Sequence, residues 1–306
     1  MSRSFMAAFS AFAIKCAGYK KKVADPERRE KYIEKLRKNN EKPFKAPPYF
    51  YKSKPEKHIE KGVELFYFNK GKERKIIYLH GGAYCEQPLL PHFSFCDTIS
   101  YKTDSEIILP VYKKSPEYTF EATYDFLDGF YRELLKSTAA ENIIFMGDSS
   151  GGGLALAFCE YLNEKGLPMP KKLILLSPWV DISMDTPFKK EFDTVDPSLQ
   201  HGFLKKAGEN WAGSTDVHDY RLSPIYYDKL GELPPMTVYY GTYEAFIDDG
   251  RRFKEKCESE RAKLDYREYE KMNHCFPIYP IPEAKKAQKE IIEIITKING
   301  KKKKGR

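Results

Sequence analysis

Five consecutive residues, Gly147-Asp148-Ser149-Ser150-Gly151, set a serine between two glycines in the spacing GxSxG. A serine hydroxyl is a poor nucleophile on its own. It needs a base to take its proton, an acid to orient that base, and N–H groups placed for the charge that develops on an attacked carbonyl oxygen. Small residues two before and two after Ser149 permit the tight strand-to-helix turn that exposes such a hydroxyl. The flanks agree with that turn, because the apolar run Ile143-Ile144-Phe145-Met146 precedes it and the helix-forming run Leu154-Ala155-Leu156-Ala157 follows. Ser150 is the poorer choice of nucleophile, since its register would put Asp148 where a small residue is required.

The other requirements are met elsewhere in the chain. His80-Gly81-Gly82-Ala83-Tyr84 follows an apolar run, and adjacent glycines let backbone N–H groups approach a ligand closely. Gly81, Gly82 and Ala83, with the amide of Ser150, are therefore the expected oxyanion donors. The base must be a histidine after Ser149, which leaves His201, His218 and His274. His201 and His218 fall in a long irregular interval, whereas His274 directly follows the last expected strand, where a parallel sheet presents its catalytic groups. The acid is sought in Gly241-Thr242-Tyr243-Glu244-Ala245-Phe246-Ile247-Asp248-Asp249. Glu244 is nearer the preceding strand end. Asp248 is the alternative, although with Asp249 it suits a helix N-terminus better. A chain order of serine, acid and histidine also separates this pattern from the GDSGG stretch of all-β serine proteases, where histidine and aspartate come first.

These groups need a scaffold. Strands are expected at Val63 to Phe68, Lys75 to Leu79, Glu106 to Val111, Asn142 to Met146, Lys172 to Leu176, Met236 to Tyr240 and Asp265 to Tyr269. Helical patterns alternate with most of them, around Pro91 to Tyr101, Phe120 to Leu135, Gly152 to Lys165, Asp249 to Glu260 and Glu283 to Ile298. Continuous apolar strands alternating with helices imply a mostly parallel sheet covered on both faces. The interval Pro178 to Pro235 breaks the alternation and holds Trp179, Phe188, Phe192, Phe203 and Trp211. Long insertions of this kind are usually functional or separately folded, and this one is a candidate lid together with the N-terminal helix.

The formal charge of +8 is uneven, with 16 Lys/Arg against 7 Asp/Glu in residues 1–60 and a basic tail at 301–306. The segment that holds the chemistry is mildly acidic and carries no nucleic-acid-binding signature, so no nucleic-acid partner is expected. The six cysteines form no CxxC pair and read as reduced thiols of a cytoplasmic protein. The apolar run Phe5 to Ile14 has the length of a signal-peptide core but is too short to span a membrane. Phe5, Phe9 and Phe12 recur at i, i+4 and i+7, which favours an amphipathic helix with an aromatic face. The Pro-containing run from Lys42 to Pro48 reads as an extended connector with no core of its own.

Taken together, these motifs resemble the hormone-sensitive-lipase-like group of α/β-hydrolase esterases. The likeness covers roughly Ile76 to Pro277. It rests on His80-Gly81-Gly82, Tyr112-Lys113-Lys114-Ser115-Pro116-Glu117, Gly147 to Gly152, and Ser177-Pro178-Trp179 with Asp181. The resemblance implies the α/β-hydrolase fold with a helical cap. It also implies a division into cap helices and linker (1–60), a catalytic domain (61–300) with a cap insertion near 178–235, and the tail. It places the triad acid at Glu244, where the group usually carries aspartate, and it implies hydrolysis of small acyl esters through an acyl-enzyme, with no metal or organic cofactor. An aromatic-lined pocket shaped by residues 1–50 and the insertion belongs to the same expectation. Two alternatives stand beside it: a lipase working at a membrane surface through its N-terminal helix and Lys20-Lys21-Lys22, and a non-catalytic ligand-binding homologue, against which His274 speaks. A homo-oligomer stays open.

Overall fold

Runs such as Ile107-Ile108-Leu109 and Ile143 to Met146 have no polar face to offer water, so they demand cover on both sides. The computed structural model describes residues 3–298, and the basic tail 301–306 lies outside them. Along the chain come α1 (Phe5–Cys16), α2 (Tyr19–Ala24), α3 (Pro26–Asn40), β1 (Glu56–Glu60), β2 (Val63–Phe68), β3 (Lys75–Leu79), α4 (Leu90–Thr103), β4 (Glu106–Val111), α5 (Phe120–Leu135), β5 (Ile143–Asp148), α6 (Ser149–Glu164) and β6 (Lys172–Leu176). Then follow α7 (Phe192–Val195), α8 (His201–Ala212), β7 (Met236–Gly241), α9 (Ile247–Ser259), β8 (Leu264–Tyr269) and α10 (Pro282–Ile298).

The strands form one sheet in the order β1-β2-β4-β3-β5-β6-β7-β8. From β4 to β8 every neighbour is parallel, and β1 and β2 add an antiparallel edge. One apolar layer packs Phe145 and Leu175 of the sheet against Tyr131 of α5 and Phe158 of α6. The other sets Met146 and Ile174 against Phe93 of α4 and Ile291 of α10. In α10 the buried residues Ala284, Ala287, Ile291 and Ile295 recur at helical spacing, so a single stripe docks on the sheet.

Strand β1 is absent from the expected set. Its sequence, Glu-Lys-His-Ile-Glu, lacks the buried alternation that marks a strand, and it pairs on one side only, with β2. A charged edge strand blocks further pairing, and its charges also hide it from a search for apolar runs.

Up to Asn40 the segment before β1 folds as helices, and 41–55 is an irregular connector. Tyr19, Tyr32 and Phe203 of α8 meet ring to ring at 5.7 to 6.0 Å. Arg29 Nη1 donates to the carbonyl of Gly202 at 2.9 Å, and Lys20 Nζ donates to the carbonyls of Phe192 and Asp196. Helices α2 and α3 thus pack on α7 and α8 of the 178–235 interval.

One feature of the core works against stability. Glu160 of α6 is fully buried, and neither of its carboxylate oxygens has a hydrogen-bond partner among the described residues. Burial pushes its pKa far above the usual carboxylate value. A group protonated in the fold but ionised in the unfolded chain favours folding less as pH rises. Glu160→Leu is expected to raise unfolding stability at neutral pH by about 1–3 kcal/mol, the usual cost of a buried unsatisfied polar group. Urea denaturation at two pH values would check this, with the gain shrinking in acid.

Candidate active site

Every candidate group hangs from the carboxyl end of a parallel strand. The oxyanion loop leaves β3, Ser149 follows β5, Ser177 follows β6, Glu244 follows β7 and His274 follows β8. Strand β5 passes into α6 with no intervening residue, and Ser149 is held at φ 52°, a left-handed conformation that non-glycine residues seldom adopt. Crossing space is minimal. A Cβ on Gly147 would lie 2.4 Å from the carbonyl oxygen of Gly151, and one on Gly151 would lie 2.1 Å from that of Leu79. Both glycines of the pentapeptide are therefore required by packing.

His274 Nε2 lies 2.9 Å from Ser149 Oγ, and its Nδ1 lies 3.2 Å from Glu244 Oε1. With Nδ1–H donating to Glu244, Nε2 carries the lone pair that faces the serine hydroxyl. Glu244 is fully buried, and its Oε2 accepts from Ser177 Oγ at 2.7 Å and from the Gly241 amide at 2.9 Å. Ser177 Oγ also accepts from the Cys275 amide at 3.0 Å, so one hydroxyl ties the acid to the loop that carries the histidine. Burial disfavours a charged His274, but the hydrogen bond and negative charge of Glu244 outweigh it and raise the imidazole above its ordinary pKa.

The four expected oxyanion donors divide. The Gly81 amide already donates to Asp148 Oδ1 at 3.0 Å, which removes it from the set. The amides of Gly82, Ala83 and Ser150 have no partner among the described residues. Gly82, Ala83 and Tyr84 all have positive φ, and this run of backbone is tied down from behind. The Tyr84 amide donates to Ser150 Oγ at 3.2 Å, Tyr112 hydroxyl donates to the His80 carbonyl at 2.7 Å, and the Ser115 amide donates to the Tyr84 carbonyl at 2.9 Å.

Asp148 anchors the same loop. Its Oδ1 also accepts from Tyr78 at 2.7 Å, and its Oδ2 lies 3.2 Å from His92 Nε2, whose Nδ1 accepts from the Leu89 amide. Burial opposes a charge on Asp148, yet His92, Tyr78 and the Gly81 amide together hold its carboxyl at about 2. Sequence reading assigned nothing to Asp148, His92 or Ser177. Apart from Leu89, their partners lie 56 to 98 residues away, beyond the reach of any local pattern, although Asp148 and Ser177 both fall in segments that carry the family resemblance.

A buried aromatic cluster borders the site. Tyr84 stacks on Trp211 at 4.5 Å and on Trp179 at 5.6 Å, Trp179 stacks on Phe246 at 5.7 Å, and Phe246 meets His274 edge-on at 5.3 Å. The N-terminal contribution differs from the expected aromatic lining. Beside His274, α1 presents Ala7, Ser10, Ala11 and Ile14, while Phe5, Phe9 and Phe12 point outward.

The remaining candidates stand apart. Asp248 is in the first turn of α9, not at its cap, and accepts from Lys189 Nζ at 2.9 Å. His201 packs on Phe188, and exposed His218 bonds Asp185 and Asp216. Asp181 is buried, accepting from Ser183, Tyr226 and Arg252.

A family model described as the α/β-hydrolase fold matches residues 76–278. The chain is 31% identical to an esterase of Acinetobacter venetianus, over 73% of this chain and 75% of that protein. It is 26% identical to an acetyl-hydrolase of Streptomyces hygroscopicus, over 70% of this chain and 72% of that protein. The crystal structure of an esterase from the bacterial hormone-sensitive lipase family superposes with a TM-score of 0.82 at 25% identity, over 98% of this chain and 100% of the other. The chain belongs to the α/β-hydrolase fold family, in its hormone-sensitive-lipase-like group.

Two substitutions separate the carboxylates. Glu244→Gln is expected to lower kcat by on the order of 10³ to 10⁴, as loss of the orienting acid does in other triads, whereas Asp248→Ala should stay within about threefold of the parent. A pH–rate profile gives a second readout. If His274 acts as the base, neutral imidazole is the active form, so activity is expected to rise with pH through a His274 pKa above the ordinary histidine value, and Glu244→Gln to move that acid limb to lower pH.

Proposed function

We propose that this protein hydrolyses esters of short, acetyl-type acyl groups through an acyl-enzyme on Ser149. It is a carboxylic ester hydrolase, as its esterase and acetyl-hydrolase relatives are. The observation that carries the finer reading is the unbroken hydrogen-bond path from Glu244 Oε1 through His274 to Ser149 Oγ, ending beside three unpartnered amides. His274 takes the proton of Ser149 as Oγ attacks the ester carbonyl. The amides of Gly82, Ala83 and Ser150 receive the oxyanion, and each such donor contributes on the order of 2.7–4 kcal/mol to transition-state stability. Protonated His274 then gives its proton to the departing alcohol. Water enters, loses a proton to the same nitrogen and releases the acid.

The acetyl-hydrolase relative supports the short-acyl reading. Tyr84, Trp179, Trp211 and Phe246 beside the site are buried and stacked on one another, so this side of the site is rigid. The helical layer built by α1 to α3 and the 178–235 interval acts as a cap over the site. Ser149→Ala should abolish hydrolysis of p-nitrophenyl acetate and labelling by a fluorophosphonate while leaving the fold intact. Across p-nitrophenyl esters of increasing length, kcat/KM should fall steeply beyond the shortest chains, and a maximum at long chains would overturn the acyl assignment.

A further inference from the structure

Helix α1 is buried the wrong way round for a helix that meets only water. At 100° per residue, Ala7, Ser10, Ala11 and Ile14 share the side that faces the protein, and Phe5, Phe9, Phe12 and Cys16 share the opposite side. The small residues are therefore packed and the large ones exposed: Phe5 is 83% exposed, Phe9 61%, Phe12 62% and neighbouring Met6 54%. Phe5 and Phe9 stack on each other at 6.3 Å, so they present one continuous apolar surface. A contiguous aromatic patch of this kind marks a surface that meets something apolar.

Charge indicates what it meets. The first 24 residues hold Arg3, Lys15, Lys20, Lys21 and Lys22 and no acidic residue. Lys15 is exposed at the edge of the aromatic face, and Lys21 and Lys22 are exposed on the next helix, α2. Aromatic side chains flanked by lysines match the interface of an anionic bilayer, where rings enter the headgroup layer and ammonium groups meet lipid phosphates. A second copy docking through the same face would instead set lysine against lysine. At twelve residues, α1 is about 18 Å long, so it lies on a bilayer rather than crossing it, and no described helix is long and apolar enough to cross one.

The helix is also fastened to the active site. Arg3 donates to Asn273 Oδ1 beside His274, and Ser4 donates through its amide and hydroxyl to Glu283 at 2.7 and 2.8 Å. We propose that the outer face of α1 docks on anionic phospholipid and brings the Ser149 site to the bilayer surface. Resting on the short-acyl reading, the ester served is then one whose alcohol partitions into the bilayer.

The full chain would be pelleted with phosphatidylcholine vesicles with and without phosphatidylglycerol. The wild type is expected to pellet with the anionic vesicles and much less with the neutral ones. The triple variant Phe5→Ser, Phe9→Ser, Phe12→Ser should lose at least about tenfold in bound fraction, while its turnover of water-soluble p-nitrophenyl acetate and its circular dichroism stay at wild-type values. Ser149→Ala should bind vesicles as the wild type does, so failure of the ester chemistry and failure of docking are read separately. Wild-type protein that stays in the supernatant, equal binding to neutral vesicles, or a triple variant that pellets undiminished would each overturn the proposal. A wild-type dimer that the triple variant converts to monomer, with no vesicle binding, would assign the face to a second copy.

Discussion

The structure depends on how closely the β5–α6 turn crosses the end of β3. No residue separates strand from helix, and the backbone of Gly147 and Gly151 touches Leu79 and His80 so tightly that no Cβ fits. That contact has two results. It forces Ser149 into a left-handed conformation, and it places the oxyanion loop directly beside the hydroxyl. A strained residue persists only where its surroundings over-determine it. Here the parallel pairing of β3 with β5, the buried helix α6 and the Trp179 amide on the Ser149 carbonyl all hold the turn.

Once the turn is fixed, the rest is supplied by side chains bonded across the strand ends. Asp148, one residue before Ser149, turns the other way and grips the Gly81 amide, so the serine and the loop that faces it share a single anchor. Ser177 does the same for the other half of the site, bridging Glu244 and the Cys275 amide. These links join different strands, and they explain why motifs scattered over nearly 200 residues act as one unit.

The sequence disclosed what is local or periodic. Strands buried on both faces are continuous apolar runs, and β2, β3, β4 and β6 have the bounds read from the sequence. Ser149, His274 and the order of the elements followed from spacing and chain order. What stayed hidden is either weakly patterned or long-range. Strand β1 is a charged edge, the partners of Asp148 come from three separate elements, and the inversion of α1 depends on which side of a nearly all-apolar helix finds the protein. Glu244 and Asp248 lie in one short loop, but only Glu244 meets His274; four residues carry Asp248 onto α9 and out to Lys189.

The position of Glu244 sets a balance for the proposed reaction. A fully buried carboxylate against Nδ1 makes His274 a stronger base toward Ser149, and the same interaction leaves more of it protonated near neutral pH. Too strong an acid partner would trap the imidazolium. The bonds from Ser177 and the Gly241 amide to Oε2 draw part of the carboxylate's charge away from the ring, because each donor competes for the same negative group. Ser177 therefore has two effects, orienting the acid and moderating it. An apolar side chain in place of this buried hydroxyl, just after β6, would supply neither effect.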